Sequence, residues 1–393
     1  MHRLFEPCAI GPVVLRNRSI RAAAFEGMCP GHAPSPELLA YHRALAEGGV
    51  GMTTVAYAAV ERSGLSFPHQ LWIRPEVVPG LRALTDAVHA AGARASIQLG
   101  HCGNMARRAL AGGRPLAPSA RFNLYGPTWP RAMDQADIDR VVASFGQAVR
   151  LAADAGFDAV EIHAGHGYLL SQFLSPATNH RRDAYGGSLA GRARFMREAV
   201  AAAQRAARGE LAVLVKVTMR DGFPGGMELD EGIAAADLLA RDGVDALVLS
   251  SGFVSRAPLY MLRGEVPVRQ MIAAQERTVA KVGLFLFGRL LVQRYPYEET
   301  FFLPEARQLR AAVRLPLVLL GGIKTRHGLE RAMREGFELA GMGRALLHDA
   351  TLPRRLAARE VEASGCVPCN ECIAEMDRGG VRCTRAAVTT ETR

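Results

Sequence analysis

Residues 317–344 read LVLLGGIKTRHGLERAMREGFELAGMGR. A short apolar run ends in Gly321-Gly322, an amphipathic pattern follows over Arg326–Glu335, and a second apolar run ends in Gly341-Met342-Gly343-Arg344. Strand, turn, helix, strand is the unit of a parallel sheet, because parallel neighbours need a crossover between them. The same unit recurs towards the N-terminus. Candidate strands are Ser19–Ala24, Val50–Ala56, Arg94–Leu99, Asp158–His163, Leu211–Thr218, Ala246–Ser250, Leu317–Gly321 and Leu339–Met342. Each precedes a helical pattern: Pro36–Glu47, Glu76–Ala91, Gln135–Ala155, Ala190–Ala207, Asp230–Arg241, Pro304–Val313, Arg326–Glu335 and Ala345–Glu360. Ser35 before Pro36, and Asp134 with Asp137 three residues on, are helix start signals. Eight such units favour a closed (β/α)8 barrel. A doubly wound sheet is the alternative, but no Gly-x-Gly-x-x-Gly stands between a first strand and helix.

In such a barrel the loops after strands seven and eight commonly bind phosphate, since glycines let backbone N–H groups approach an anion. Gly322 and Gly343 are placed for that, with Arg344 as a charge-assisted clamp. A plain turn is the bland alternative at each glycine pair taken alone. Two connections are long, Gly100–Asp134 and Ser251–Leu303, and both fall at the face where barrel active sites assemble. They read as lids or substrate walls, the second almost as well as a homo-oligomer contact.

The chain has 393 residues, 49% hydrophobic and 22% charged, which suits a folded enzyme. Its net charge is +10, yet the basic residues are scattered in pairs such as Arg107-Arg108, which argues against nucleic acid. No apolar stretch is long enough to span a membrane, and Met1 to Arg18 lacks the apolar core of a signal peptide, so a cytoplasmic protein is expected. Of the seven cysteines, four fall between Cys366 and Cys383, a pattern of reduced thiols or a metal site rather than a disulfide framework.

The fourth strand ends in Glu161-Ile-His163-Ala-Gly-His166-Gly-Tyr168. Two imidazoles and a phenol at a barrel mouth can hold a carbonyl oxygen and deliver a proton. They could also ligate a divalent metal, although no partner set of His and carboxylates ends the other strands, or be structural.

The run from His163 through Gln172, Pro176, Asn179, Arg181, Asp183 and Tyr185 to Gly186-Gly187-Ser188 resembles the signature segment of the Old Yellow Enzyme family. So do Leu4-Phe-Glu-Pro7 with Asn17-Arg18, Gln98-Leu-Gly-His101, Arg192-Ala-Arg194-Phe195 and both Gly-rich ends, so the resemblance spans almost the whole chain. It implies a non-covalent FMN in the barrel mouth, with Ala23, Ala24 and Tyr57 lining its ring, Gln98 on the pyrimidine edge and Lys216 facing the N1/C2 region. A positive charge there suits a reduced flavin anion. Gly322, Gly343 and Arg344 would hold the phosphate; His163 and His166 would bind the substrate oxygen; Tyr168 would donate the proton. One departure is Phe25, where many relatives carry Thr or Cys after a Pro beside the flavin; Phe25 donates no hydrogen bond.

Cys366-Val-Pro-Cys369-Asn-Glu-Cys372 with Cys383 resembles the iron–sulfur motif of 2,4-dienoyl-CoA reductase and trimethylamine dehydrogenase. Four thiolates suit a [4Fe–4S] cluster, or Zn. The expected organisation is a barrel over residues 1–362 and a Cys-rich tail over 363–393. The expected activity is NAD(P)H-dependent reduction of an activated C=C bond, the substrate being an α,β-unsaturated carbonyl compound and both reactants using one site in turn. Flavin-dependent desaturation or dehydrogenation is the alternative, and a cluster would serve structure or a redox partner protein. A metal-dependent barrel hydrolase and a non-enzymatic electron carrier are the competing classes; a yellow protein excludes the first, and turnover of an enone the second.

Overall fold

The computed structural model describes residues 3–123, 128–274, 281–282, 285, 292–376 and 379–386. Eight parallel strands close a barrel: β1 Ser19–Arg21, β2 Met52–Ala59, β3 Arg94–Gly100, β4 Ala159–Ala164, β5 Ala212–Thr218, β6 Ala246–Ser250, β7 Leu317–Leu319 and β8 Leu339–Met342. Each pairs with its neighbours in sequence, and β8 returns to β1. The surrounding helices are α1 Pro36–Glu47, α2 Val78–Ala90, α3 Gln135–Asp154, α4 Leu189–Ala207, α5 Leu229–Arg241, α6 Leu303–Ala312, α7 Arg326–Arg334 and α8 Arg344–His348. The expected barrel is the observed one. The differences lie at element ends: β1 stops at Arg21 and β7 at Leu319, and the helix expected over Ala345–Glu360 is two pieces. Asp349 divides them, accepting from both the amide and the hydroxyl of Thr351, and the second piece runs Leu352–Ala357.

Local chemistry explains the helix starts. Ser35 accepts from Leu38 N with Pro36 in the first turn, and Asp134 and Asp137 form a reciprocal capping box. Ser188 and Thr325 cap α4 and α7 in the same way.

Strand residues alternate between lumen and helix layer, and that parity positions the site. On β6, Ala246 and Val248 join the inner apolar cluster while Leu247 and Leu249 pack against helices. The inner cluster includes Cys8, Ile10, Val13 and Leu15 of the N-terminal hairpin Cys8–Ile10/Val13–Leu15, so this hairpin plugs one end of the lumen. Continuing the inward parity towards the strand C-termini replaces apolar residues with Gln98, Glu161, His163, Lys216, Thr218 and Ser250. Cross-strand register sets them side by side: Gln98 opposite Glu161, His163 opposite Lys216, Thr218 opposite Ser250.

The first long connection carries a short helical turn, Arg108–Ala111, and a two-stranded pair, Leu116–Ala117 with Arg131–Ala132. The second contains helix Val268–Ala274, and part of the expected wall Ser251–Leu303 lies outside the described residues. Among the described residues no helix is long and apolar enough to cross a membrane.

Candidate active site

Three buried polar residues line the lumen on β3, β4 and β5. Glu161 accepts from Gln98 Nε2 at 2.5 Å and pairs with Lys216 Nζ at 2.9 Å, while Nζ also donates to Ala23 O at 3.1 Å. Burial pulls the Lys216 ammonium below the usual lysine range, and Glu161 opposes that pull. The resemblance implies a positive charge at this position; the structure adds its counter-ion, Glu161, which the resemblance does not name. The parity of β4 would have found it, since Glu161 and His163 are two residues apart and share a face.

Above this wall sit the imidazoles. Gly165 N lies 3.3 Å from His163 Nδ1 and donates to it, which leaves Nε2 as the protonated nitrogen of the neutral ring. Burial, then the charges of His166 and Lys216, hold His163 well below the ordinary imidazole range. His166 is pushed down to about 3, by burial first and Lys216 second. Both rings are therefore neutral near pH 7. His166 takes a left-handed backbone (φ 61°) in the Gly165-His166-Gly167 turn, its N–H donating to Thr218 Oγ1 and its Nε2 standing 2.7 Å from Ser250 Oγ. Among the described residues His163 Nε2 has no hydrogen-bond partner and can donate into the mouth, while one nitrogen of His166 is engaged by Ser250.

Tyr168 heads the short helix Leu169–Leu174, with its ring centroid 4.5 Å from His163 and 5.1 Å from Tyr57. His163 and His166 are 5.2 Å apart. The three residues expected to act together are brought together. Tyr57 is buried, its hydroxyl 2.6 Å from Ser66 Oγ, and Phe25 stacks on Phe67 at 4.6 Å, so this side of the mouth is aromatic. Below it, Glu26 pairs with Arg21 at 3.0 Å and His42 at 3.1 Å and accepts from Ala56 N. These buried charges fix the chain around Ala23 and Ala24; they give no periodic signal in sequence.

At the far edge, Gly322 has φ +75°, and a Cβ there would meet Tyr297 Cε2 at 2.7 Å, so glycine is required. Gly343 faces open space at the start of α8. Among the described residues the backbone N–H groups of Gly322 and Gly343 have no hydrogen-bond partner. Two unused N–H donors on adjacent loops, with Gln98 and Lys216 on the inner wall, fit a phosphate-bearing cofactor with a polar edge, as FMN has. Arg344 behaves differently from the simple clamp. Its guanidinium donates to Arg263 O at 3.0 Å and to Asn370 Oδ1, and it stands within electrostatic reach of Cys366, Cys372 and Cys369.

The tail packs onto these loops through Ser364 N to Lys324 O at 2.8 Å, Asn370 Nδ2 to Glu265 O at 3.0 Å, and Val381 N to Glu26 O at 2.7 Å. Cys366, Cys369, Cys372 and Cys383 line one cavity together with Arg344 and His348. Among the described residues no three His, Cys, Asp or Glu side chains stand close enough to grip a single metal ion.

Comparison with known proteins agrees with this geometry. The profile of the NADH:flavin oxidoreductase / NADH oxidase family matches residues 3–289. The 4,4'-dithiodibutanoate disulfide reductase of Rhodococcus erythropolis is 44% identical over 381 residues, 97% of this chain and 94% of that one. The old yellow enzyme homologue from Zymomonas mobilis superposes with TM-score 0.72 at 23% identity, over 93% of this chain and 95% of that one. Histamine dehydrogenase from Rhizobium sp. 4-9 superposes with TM-score 0.80 at 26% identity over 97% of this chain, which spans 52% of that larger protein. The chain belongs to the NADH:flavin oxidoreductase / NADH oxidase family, the Old Yellow Enzyme family its sequence resembles, and is an FMN-dependent oxidoreductase that uses NAD(P)H.

Proposed function

We propose that the protein is an ene-reductase, saturating the activated C=C bond of an α,β-unsaturated carbonyl compound. The observation that carries this reading is the convergence of two neutral imidazoles and one phenol over the polar wall Gln98–Glu161–Lys216. FMN, when bound, supplies hydride chemistry between NAD(P)H and the acceptor. Gln98 and Lys216 would hold its polar edge, Ala23, Ala24 and Tyr57 its ring, and Gly322, Gly343 and Arg344 its phosphate end.

The chain's own part is charge and proton handling. His163 donates Nε2–H to the acceptor's carbonyl oxygen, where negative charge develops as the β-carbon is reduced, and His166 supports it. One such donor is typically worth about 3 kcal/mol in the transition state. Tyr168 then gives its proton to the α-carbon, so one hydride and one proton complete the saturated product. Replacing Tyr168 by Phe should leave flavin reduction by NAD(P)H near wild type and slow reoxidation by 2-cyclohexenone by about 100-fold or more. Unchanged rates in both half-reactions would remove Tyr168 from the mechanism.

A second reading, disulfide reduction, is favoured by the near full-length relative at 44% identity. The same residues serve it: cleavage of the S–S bond by hydride releases a thiolate, Tyr168 protonates it, and two thiols result. NAD(P)H-dependent thiol release from 4,4'-dithiodibutanoate, measured beside enone reduction, ranks the two acceptors.

In the tail, the four cysteines that line one cavity are an all-thiolate set, and their likeness to the iron–sulfur motif of the larger relatives favours a [4Fe–4S] cluster over Zn. Such a cluster would pin residues 363–393 to the barrel of residues 1–362, or pass electrons to a partner protein. Use of a reduced nicotinamide donor, a pool kept inside cells, supports the expected cytoplasmic location.

A further inference from the structure

Between the loops after β3, β4 and β6 lies a cleft of about 380 Å³ that the proposed chemistry does not use. Arg121 and Arg256 line it, with Asn104, Ser119, Asn123, Thr178 and Ser255, and among the described residues no Asp or Glu does. Both arginines are exposed at the cleft's rim, and among the described residues neither guanidinium has an ion-pair partner; Arg256 lies over the Phe223 ring at 5.8 Å. Two cations and five neutral amide and hydroxyl side chains without a carboxylate form an anion site by composition, and the volume is that of a small-molecule pocket.

The cleft is tied to the reacting centre. Gln172 donates to Asn104 Oδ1 at 3.0 Å and to Gly167 O at 2.7 Å, its backbone N–H donates to Tyr168 O at 2.7 Å, and its carbonyl accepts from Thr178 Oγ1 at 2.6 Å. One side chain therefore holds cleft lining and catalytic turn in a single frame. Val254, next to Ser255, packs with Tyr168 against Cys102, Met105 and Ala106, which joins the other wall to the same place.

We propose that this cleft is a specificity subsite that binds a carboxylate on the far arm of the acceptor, with Arg121 and Arg256 as its cations. The proposal rests on the reading of the mouth as a reductase site, and it names the acceptor's class: an electrophilic bond joined by a short arm to an anion. The anion could instead be a phosphate of the nicotinamide nucleotide, and the test separates the two.

FMN-loaded wild type and an R121Q/R256Q double variant are compared in two ways. Calorimetric binding of glutarate needs no turnover; KM for 4,4'-dithiodibutanoate against its dimethyl ester needs it. The double variant should bind glutarate about tenfold more weakly or worse, and its KM should rise far more for the acid than for the ester. Raising ionic strength should weaken the acid alone, and only in wild type. Equal glutarate affinity in both proteins, or equal effects on acid and ester, overturns the subsite. A loss confined to the NAD(P)H dissociation constant overturns it too, by giving the cations to the nucleotide. Selective glutarate binding in a protein that reduces neither acceptor supports the anion site and defeats the reductase reading.

Discussion

At the residue scale the site is governed by burial of groups that prefer water. His163 and His166 are held neutral by their burial first, and by the nearby charge of Lys216 in lesser part. Both have folded pKa values below the unfolded 6.5, so the unfolded chain binds more protons in acid. Their contribution to stability is complete above about pH 6.5 and is lost as pH falls towards 3, the value for His166. Asp221 acts in the opposite sense. Burial raises its pKa to about 6, so over roughly pH 4 to 6 it destabilises the fold as pH rises. Denaturant unfolding from pH 3 to 7 should show stability climbing with pH in wild type, less steeply in His166→Gln and more steeply in Asp221→Asn. A second residue-scale prediction concerns Glu161. Glu161→Gln removes the counter-ion of Lys216 while keeping a partner for Gln98, so the uncompensated ammonium should raise the reduction potential of bound FMN, measurable by dye-coupled titration. A lowered or unchanged potential would show that Lys216 does not face the flavin.

At the element scale the question is what joins the Cys-rich tail to the barrel. Asn370 is buried with φ 59°; it accepts from Arg344 and donates to Arg263 O and Glu265 O. It thereby links α8, the loop after β6 and the cysteine cavity. Asn370→Ala removes three hydrogen bonds; Arg344 and Arg263 O keep their bond to each other, so Glu265 O is the group left without its partner, and the joint loses the side chain that reaches all three places. Anaerobically purified wild type should carry about four iron atoms per chain, and Asn370→Ala should carry fewer and lose its tail to limited proteolysis first. Full iron content with an unchanged cleavage pattern would show that Asn370 is not the joint.

At the scale of the whole molecule, β1, β3, β4, β5, β7 and β8 all contribute to one mouth, so FMN binding and global stability are coupled. A ligand present at 100 times its dissociation constant adds about 2.7 kcal/mol. For a chain of this size that is a rise in Tm of a few degrees. Added FMN should produce it in stripped protein, and Gly343→Asp, which sets a carboxylate where phosphate is expected, should abolish it while the unliganded Tm stays near wild type.

The eight strands and helices were legible in sequence because burial on both sheet faces writes continuous apolar runs, and because Ser35 and Asp134 announce their helices. The grouping of His163, His166 and Tyr168 was legible for a related reason: they lie within six residues of one strand end, where local geometry alone brings them together. Glu161 as counter-ion of Lys216, Ser250 against His166, and the turn of Arg344 towards Asn370 were not legible. Each joins strands or loops far apart in the chain, and no periodicity encodes which distant side chain meets which. The sequence by itself determined the barrel and the kinds of chemical group at its mouth. The tertiary structure alone decided their pairing, because cross-strand register and loop packing, rather than any local preference, set which charges share the low-dielectric lumen.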